Sequence, residues 1–188
     1  GDSNKIDAHI ANCLYTGIMT DTGSFRFPST TSKTHHVVAN LIDNGANHSN
    51  IHNQIFDANS YDRMQLLGCA LTNLQVLPEF RTAFITLSQD ELNKFNFKKG
   101  DTEGFVNYAL SLNHIIFAAI FIEDSQNNII KISLRSKGSF SVNEFSRTHF
   151  SGGGHTNAAG GKSDLNLKAT VENFISILPS YKNALNNE

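Results

Sequence analysis

The hydrophobic pattern of this chain changes near Pro78, and that change constrains its fold more than any other feature. Before Pro78, apolar residues recur at helical spacing over 5–19 and 31–44, and two further helical segments follow up to residue 75. After Pro78, apolar runs typical of strands alternate with helical patterns. We therefore expect two lobes with a boundary near 76–80, the first helical and the second α/β or α+β.

A hairpin is the clearest element of the second lobe. The runs 115–123 and 129–134 are apolar and β-branched, and the polar residues 124–128 join them. Shorter patterns predict a strand and several helices on either side of this hairpin. The predicted strand lies at 84–87 and the predicted helices at 89–95, 102–112, 141–150 and 167–178.

Composition narrows the class of protein. The chain has 188 residues, of which 39% are hydrophobic and 17% charged, which is typical of a globular protein. A formal charge of −2 gives no general attraction to nucleic acid or membranes. Cys13 and Cys69 lie in apolar helical patterns and are predicted to be buried thiols, as in a reducing compartment. We expect a cytoplasmic protein that does not bind membranes.

Asp21 is the first candidate for chemistry. It follows an apolar helical segment and precedes the turn Thr22-Gly23-Ser24-Phe25, so its carboxylate could point into a cleft. Oxygen ligands of this kind suit Mg²⁺ or Mn²⁺. The alternative is an Asx-turn, in which Asp21 only closes the local chain reversal.

The glycine run at 152–154 is the second candidate. Gly152, Gly153 and Gly154 precede His155, and Asn157 follows two residues later. Glycines let backbone amides converge on an anion, while the His and Asn side chains add further polar groups. We predict an anion-binding or substrate-binding loop here, with a flexible linker as the alternative.

A basic strand end is the third candidate. Strand alternation places Arg135 and Lys137 on one face with Ser133 beside them. Residues 131–162 hold five Lys or Arg and one acid, a formal charge of +4 in a chain of −2. A guanidinium beside a glycine run is suited to phosphate recognition. The alternative is an ordinary solvated strand end.

Four segments together resemble one family, the DHH/DHHA1 phosphoesterases. These segments are TGIMTDTGSFRF at 16–27, EGFVNYAL at 103–110, SLRSKG at 133–138 and GGGHTNAAGG at 152–161. They are most similar to the oligoribonuclease (nanoRNase) and pAp phosphatase type, which is often described as exopolyphosphatase-related. The segments occur in the family's order and extend over nearly the whole chain.

The resemblance implies an α/β architecture in three parts. Residues 1–58 would be the C-terminal part of a DHH metal-binding lobe, and 59–77 a linker helix. Residues 78–188 would form a DHHA1 substrate-binding lobe with a mixed sheet flanked by helices.

The resemblance also implies a site and a reaction. Asp21 would be catalytic as a ligand of two Mn²⁺ ions, for which Mg²⁺ could substitute. Arg135, Lys137, His155 and the amides of 152–154 would form the substrate face. The reaction would be two-metal hydrolysis of short oligoribonucleotides, linear dinucleotides or 3′,5′-bisphosphoadenosine. We leave open that the chain forms a homodimer.

One departure from the family limits this expectation. The only His-His pair, at 35–36, follows Thr34 and comes after Asp21, so it cannot be the family's Asp-His-His motif. We therefore expect the chain to be the C-terminal part of a longer protein. With Asp21 as its sole metal ligand, the chain alone is expected to be inactive.

Two other functions stay open at this point. One is a non-catalytic nucleotide-binding or nucleic-acid-binding DHHA1 module, and the other is a polyphosphate or pyrophosphate hydrolase. Recognition of a base would separate them, because a base needs an aromatic or flat apolar surface. Phe140, Phe145 and Phe150 lie near the glycine run and are the candidates for that surface.

Overall fold

Side-chain caps set the helix starts in the first part of the chain. A computed structural model describes residues 6–187 and divides the chain after Asn59 into two compact units. Asp7, Thr31 and Asn47 each accept a backbone hydrogen bond at the start of a helix of the first unit. These helices are α1 (Ala8–Asp21), α2 (Ser32–Asp43) and α3 (His48–Phe56).

The first unit has a small core. Its described buried hydrophobic residues come mainly from one face of α1 and from the inner faces of α2 and α3. They are Ala11, Tyr15, Met19, Val38, Leu41, Ala46 and Ile51. Cys13, predicted to be buried, is exposed, and Cys69 of the second unit is only partly buried. That prediction was wrong because an apolar helical pattern does not show which face of the helix is covered.

The second unit is built on one six-stranded sheet. Its strands are β1 (Gln75–Leu77), β2 (Thr82–Leu87), β3 (Phe117–Asp124), β4 (Ile129–Ser136), β5 (Gly153–His155) and β6 (Ala158–Ser163). Their spatial order is β1-β2-β3-β4-β6-β5. Only the β2–β3 pair is parallel among these neighbours, so the sheet is mixed, as expected.

Helices cover the sheet on both faces. They are α4 (Tyr61–Thr72), α5 (Gln89–Lys94), α6 (Phe105–Ser111), α7 (Val142–His149), α8 (Leu167–Ile177) and α9 (Lys182–Asn186). None of the described helices is both long and apolar enough to span a membrane. The predicted division at 59–77 and 78–188 stays a prediction, but the helix expected over 59–77 ends at Thr72 and Gln75–Leu77 form β1. Gln75–Leu77 form a strand and not a helix because they pair with β2.

The two faces of the sheet carry separate apolar layers. One layer joins Phe84, Phe117 and Phe121 of the sheet to aromatic residues from α7 and α8. The other joins small and branched residues of β2 and β3 to α4, α5 and α6, and none of its described buried residues comes from β4, β5 or β6. On this second face, the part formed by β4, β6 and β5 thus contributes no described residue to the buried apolar layer, although α6 lies beside β4, and we call this part the open face.

Candidate functional site

Arg135 lies on the open face at the centre of the sheet. Along β4, buried Ile132 and Leu134 alternate with partly buried Ser133 and Arg135. One guanidinium nitrogen of Arg135, Nη1, donates to the carbonyl of Leu134 at 2.9 Å. Burial lowers the pKa of the Arg135 guanidinium, while the nearby carboxylate of Glu103 opposes that shift. The group is thus a cation that has already lost part of its hydration.

Small residues of β6 form the surface of the sheet beside Arg135, which we call the floor of the open face. In β6, Ala158 lies opposite Arg135 and Gly160 lies opposite Ser133. A side-chain carbon built on Gly160 would have only the Ile132 carbonyl oxygen as a neighbour, at 3.7 Å. Small residues here leave the backbone of the sheet open to a ligand.

His155 completes the row across the open face. It is exposed and pairs with Ala158 in β5–β6, so the register runs Arg135, Ala158, His155 over three strands. Strands lie about 4.8 Å apart, which places the Cα atoms of Arg135 and His155 roughly 10 Å from each other. A cationic group and an imidazole thus flank a small-residue floor.

The other basic residues contribute unequally. Lys131 Nζ is 2.7 Å from Asp124 Oδ2, and this hydrogen bond, with others from Asn127, lowers the pKa of Asp124 to about 2. Lys162 lies opposite Lys131 and is exposed. Lys137 lies one residue past the end of β4 and is also exposed. Lys131 is therefore already paired, whereas Lys137 and Lys162 extend into solvent.

The glycine run is part of a hairpin, so the prediction of a loop was wrong. Gly153–His155 form β5, and the two residues 156–157 connect it to β6. The amide of Gly154 donates to Asn143 Oδ1 at 2.8 Å, and that of Gly152 to the Ser146 carbonyl at 3.4 Å. These two amides are engaged by α7, and the binding role of residues 152–154 stays a prediction.

Close packing explains two of these glycines. A side-chain carbon on Gly152 would collide with the Gly160 carbonyl oxygen, and one on Gly154 with that of Ala158. A bulkier residue at either position would push β5 away from β6. Asn157 has a similar structural role, since its Nδ2 donates to Ser136 Oγ at 2.9 Å and to the Gly138 carbonyl at 3.0 Å. It ties the hairpin turn to the end of β4.

The three phenylalanines proposed for base stacking do not face solvent. Phe140, Phe145 and Phe150 are 6%, 1% and 2% exposed and belong to the aromatic layer on the other side of the sheet. The sequence left the orientation of these three side chains open, and the structure places them away from the open face.

Asp21 is the last residue of α1 and is exposed. The turn after it is closed by Thr22, whose Oγ1 donates to the Ile18 carbonyl at 2.7 Å and accepts from the amide of Phe25 at 3.1 Å. The Asp21 carboxylate accepts no hydrogen bond within residues 6–187, so the Asx-turn alternative is not the one formed. The carboxylate is available to a ligand.

The described residues do not by themselves make a two-metal centre. Within residues 6–187, no group of three or more His, Cys, Asp or Glu side chains could hold a metal ion. A single exposed carboxylate does not hold two divalent cations. No catalytic step through a metal therefore follows from these residues.

Comparisons with known proteins agree with this architecture. Residues 70–183 match the family described as DHHA1 domain. The probable bifunctional oligoribonuclease and PAP phosphatase NrnA of Streptococcus mutans is 33% identical over 159 residues, which are 85% of this chain and 50% of that protein. NrnA of Bacillus subtilis is 30% identical over 156 residues, 83% of this chain and 48% of that protein.

A crystal structure shows the same fold. An exopolyphosphatase-related protein from Bacteroides fragilis matches with a TM-score of 0.95 and 36% identity, over 99% of this chain and 54% of that chain. The resemblance seen in the sequence motifs is confirmed by these matches. The chain spans about half the length of the curated relatives it matches.

Proposed function

Since the chain belongs to the DHHA1 family, we propose that it is part of a phosphoesterase acting on short oligoribonucleotides, linear dinucleotides and 3′,5′-bisphosphoadenosine. The names of its relatives, oligoribonuclease and PAP phosphatase, support this class of substrate. The second unit would bind the substrate, and the first would supply Asp21 to a metal centre.

The open face is the observation that carries the proposal. A partly desolvated guanidinium at Arg135 stands beside a floor of Ala158 and Gly160, with His155 across it. Arginine binds phosphate through paired N–H groups, and such charge-assisted hydrogen bonds strengthen where water is partly excluded. Lys137 and Lys162 add positive charge at the edges without occupying the floor.

The residues of this chain would bind and orient a phosphate. Arg135 would hold its oxygens, and Ser133, partly buried on the same face, would add a hydroxyl donor. A Mn²⁺ or Mg²⁺ pair, when bound, would supply an activated water and stabilise charge on the phosphoryl group. Asp21 would be one ligand of that centre, and its other ligands would lie outside residues 6–187. We expect the chain alone to bind ligand without hydrolysing it.

One observation favours polyphosphate or pyrophosphate as a second candidate substrate. The aromatic residues closest in sequence to the β5–β6 hairpin are buried on the face of the sheet opposite the open face. A site that reads phosphate without stacking on a base would accept an inorganic phosphate chain as well.

Calorimetric titration of the chain separates these candidates. We expect 3′,5′-bisphosphoadenosine to bind more tightly than tripolyphosphate. Equal binding of both ligands would favour polyphosphate or pyrophosphate as the substrate and would indicate that the open face recognises phosphate alone. Failure of both ligands to bind would contradict the proposal that the open face binds phosphate. The catalytic part is tested separately, since hydrolysis by the chain alone with Mn²⁺ would contradict its dependence on other ligands.

A further inference from the structure

Arg147 is a cation that the site described above does not include. It lies in the last turn of α7 and is exposed. Its Nε donates to Asn143 Oδ1 at 3.1 Å, and the same oxygen accepts the amide N–H of Gly154 at 2.8 Å. Asn143 therefore holds the guanidinium against the backbone of β5, which is the last strand at this edge of the sheet.

The terminal nitrogens of Arg147 are not used by the fold. Within residues 6–187, the guanidinium forms no ion pair and no hydrogen bond other than the one from Nε. A cation in the last turn of a helix interacts favourably with the helix dipole, which is a structural reason for a charge at this position. The dipole does not account for the bond to Asn143, which fixes the direction of the guanidinium and leaves its other N–H donors for an external acceptor.

The register of the sheet places Arg147 at the edge of the open face. Gly153 of β5 lies directly opposite Gly160 of β6, and directly opposite residues of an antiparallel pair share a face of the sheet. Gly160 lies on the open face, so Gly153 belongs to the same side. A side-chain carbon built on Gly153 would lie 3.4 Å from Arg147 Nε and 3.7 Å from Arg147 Cγ. The Arg147 side chain thus borders the open face along β5.

Two guanidinium groups therefore border one strip of small residues. Arg135 is on β4, and Arg147 lies beside β5. Between them are Ala158, Gly160 and Gly153. β4 and β5 are two strand spacings apart, which is roughly 10 Å. A single phosphate is too small to contact both groups across this strip, whereas a nucleotide with a phosphate on each side of its ribose can extend from one group to the other.

We propose that Arg147 binds a second phosphate of the ligand and makes the open face selective for nucleotides with two phosphates, one on each side of a ribose. Arg135 would bind one phosphate and Arg147 the other, each through charge-assisted hydrogen bonds. 3′,5′-Bisphosphoadenosine and a 5′-phosphorylated oligoribonucleotide share this pair of phosphates, and a nucleoside monophosphate lacks it. The inference rests on the proposed function, because it requires that the open face binds phosphate.

Calorimetric titration of the 188-residue chain with three ligands tests the proposal. The ligands are 3′,5′-bisphosphoadenosine, adenosine 5′-monophosphate and adenosine 3′-monophosphate. We expect the bisphosphate to bind more tightly than either monophosphate by about tenfold or more. Arg147→Ala should weaken binding of the bisphosphate by about tenfold, since it removes the contact to one of the two phosphates. Binding of the monophosphates should change little, because their single phosphate is expected at Arg135.

Matched variants separate a ligand contact from a general effect of charge. Lys168→Ala removes an exposed cation from α8, a helix that packs on the aromatic side of the sheet, and should leave all three affinities unchanged. Arg147→Lys keeps a charge at the end of α7 but loses the planar guanidinium, so it should restore only part of the binding. Equal losses in Arg147→Ala and Lys168→Ala would mean that net charge alone acts, and would contradict the proposal.

The remaining outcomes distinguish this inference from the proposed function. Equal binding of the bisphosphate and the monophosphates to the parent chain would overturn the inference alone, and so would an Arg147→Ala variant that weakens all three ligands equally or none. A parent chain that binds none of the ligands would contradict both. Circular dichroism checks that the variants are folded. If Arg147→Ala does not fold, Arg147→Gln, which keeps an N–H donor at this position, is compared in its place.

Discussion

The two units of this chain differ most in how much apolar surface they bury. Within residues 6–187, the second unit buries thirty hydrophobic residues in two layers, one on each face of its sheet. The first unit buries seven in a single layer, and its helix α1 presents Ile10 and Leu14 to solvent. A sheet covered on both faces is a common self-sufficient domain architecture. The first unit has a smaller core and leaves these two side chains of α1 half-exposed.

The largest expected effect lies in the core of the second unit. Phe117 is fully buried, and its ring centroid is 5.0–5.6 Å from those of Phe145, Phe140 and Phe174. Phe117→Ala should lower the free energy of unfolding by about 3–5 kcal/mol in denaturant melts. Phe27→Ala is the control, because Phe27 is 50% exposed in the first unit. Similar losses for both would mean that the aromatic layer does not dominate stability.

Adjacent glycines of β6 test the difference between the covered and open faces of the sheet. A side-chain carbon on Gly161 would lie 2.8 Å from Ser146 Oγ, whereas one on Gly160 has a single neighbour at 3.7 Å. Gly161→Ala should therefore destabilise by about 1–3 kcal/mol in thermal or denaturant unfolding. Gly160→Ala should stay within about 0.5 kcal/mol of the parent. The reverse order would show that the open face is the covered one.

Arg135→Ala tests whether the second unit binds phosphate by itself. The substitution should weaken the binding of 3′,5′-bisphosphoadenosine by about 1–3 kcal/mol, the scale of a charge-assisted hydrogen bond. Calorimetry gives the affinity, and far-ultraviolet dichroism checks that the variant is folded. Lys168→Ala is the control, since the Lys168 side chain on α8 is 86% exposed and its Nζ lies 3.9 Å from Glu172 Oε1. Unchanged affinity in a folded Arg135 variant would remove this residue from the site.

Gly17→Ala tests the stability of α1 in the first unit. Because no atom of another element within residues 6–187 lies within 4 Å of the added carbon, alanine should stabilise α1 by about 0.5–1 kcal/mol through its higher helix propensity. Hydrogen exchange at the amides of α1 would report this gain. A loss of stability in the isolated chain would show that the side of α1 that carries Gly17 is already in contact with another element.

The smallest effect concerns acid stability in the second unit. The pKa of Asp124 is lowered to about 2 by Lys131 and Asn127, so the native state favours the ionised carboxylate. Its contribution is present above the ordinary pKa of an aspartate, near 3.9, and is lost as the pH falls toward about 2. Asp124→Asn should flatten the stability profile in that window. An unchanged profile would mean that the ion pair at the hairpin does not couple to unfolding.

Strong local patterns predicted much of the second unit. The hairpin of β3 and β4 followed from two β-branched runs and a polar turn, and strand alternation placed Arg135 beside Ser133. These features depend on neighbours in sequence. The mixed sheet was predicted from the resemblance to the family, because local sequence patterns do not specify which strands pair or in which direction they run.

Tertiary contacts decided the features that were missed. Gly153–His155 contain no β-branched residue, and they form a strand because β6 pairs with them and α7 binds their backbone. Asn157 connects the β5–β6 turn to the end of β4 because folding brings Ser136 and Gly138 within hydrogen-bond distance of its side chain. The two-residue connection at 156–157, with an asparagine in it, was the available signal for a hairpin.

The most direct test of phosphate binding at the open face is an NMR titration of the chain with 3′,5′-bisphosphoadenosine, following backbone amides and the Arg135 side-chain N–H signals. We expect signal shifts at Ser133, Arg135, Ala158 and Gly160 and at the Arg135 guanidinium, with smaller shifts in α1, α2 and α3. Shifts confined to the first unit, or to the aromatic side of the sheet around Phe140 and Tyr181, would contradict binding at the open face.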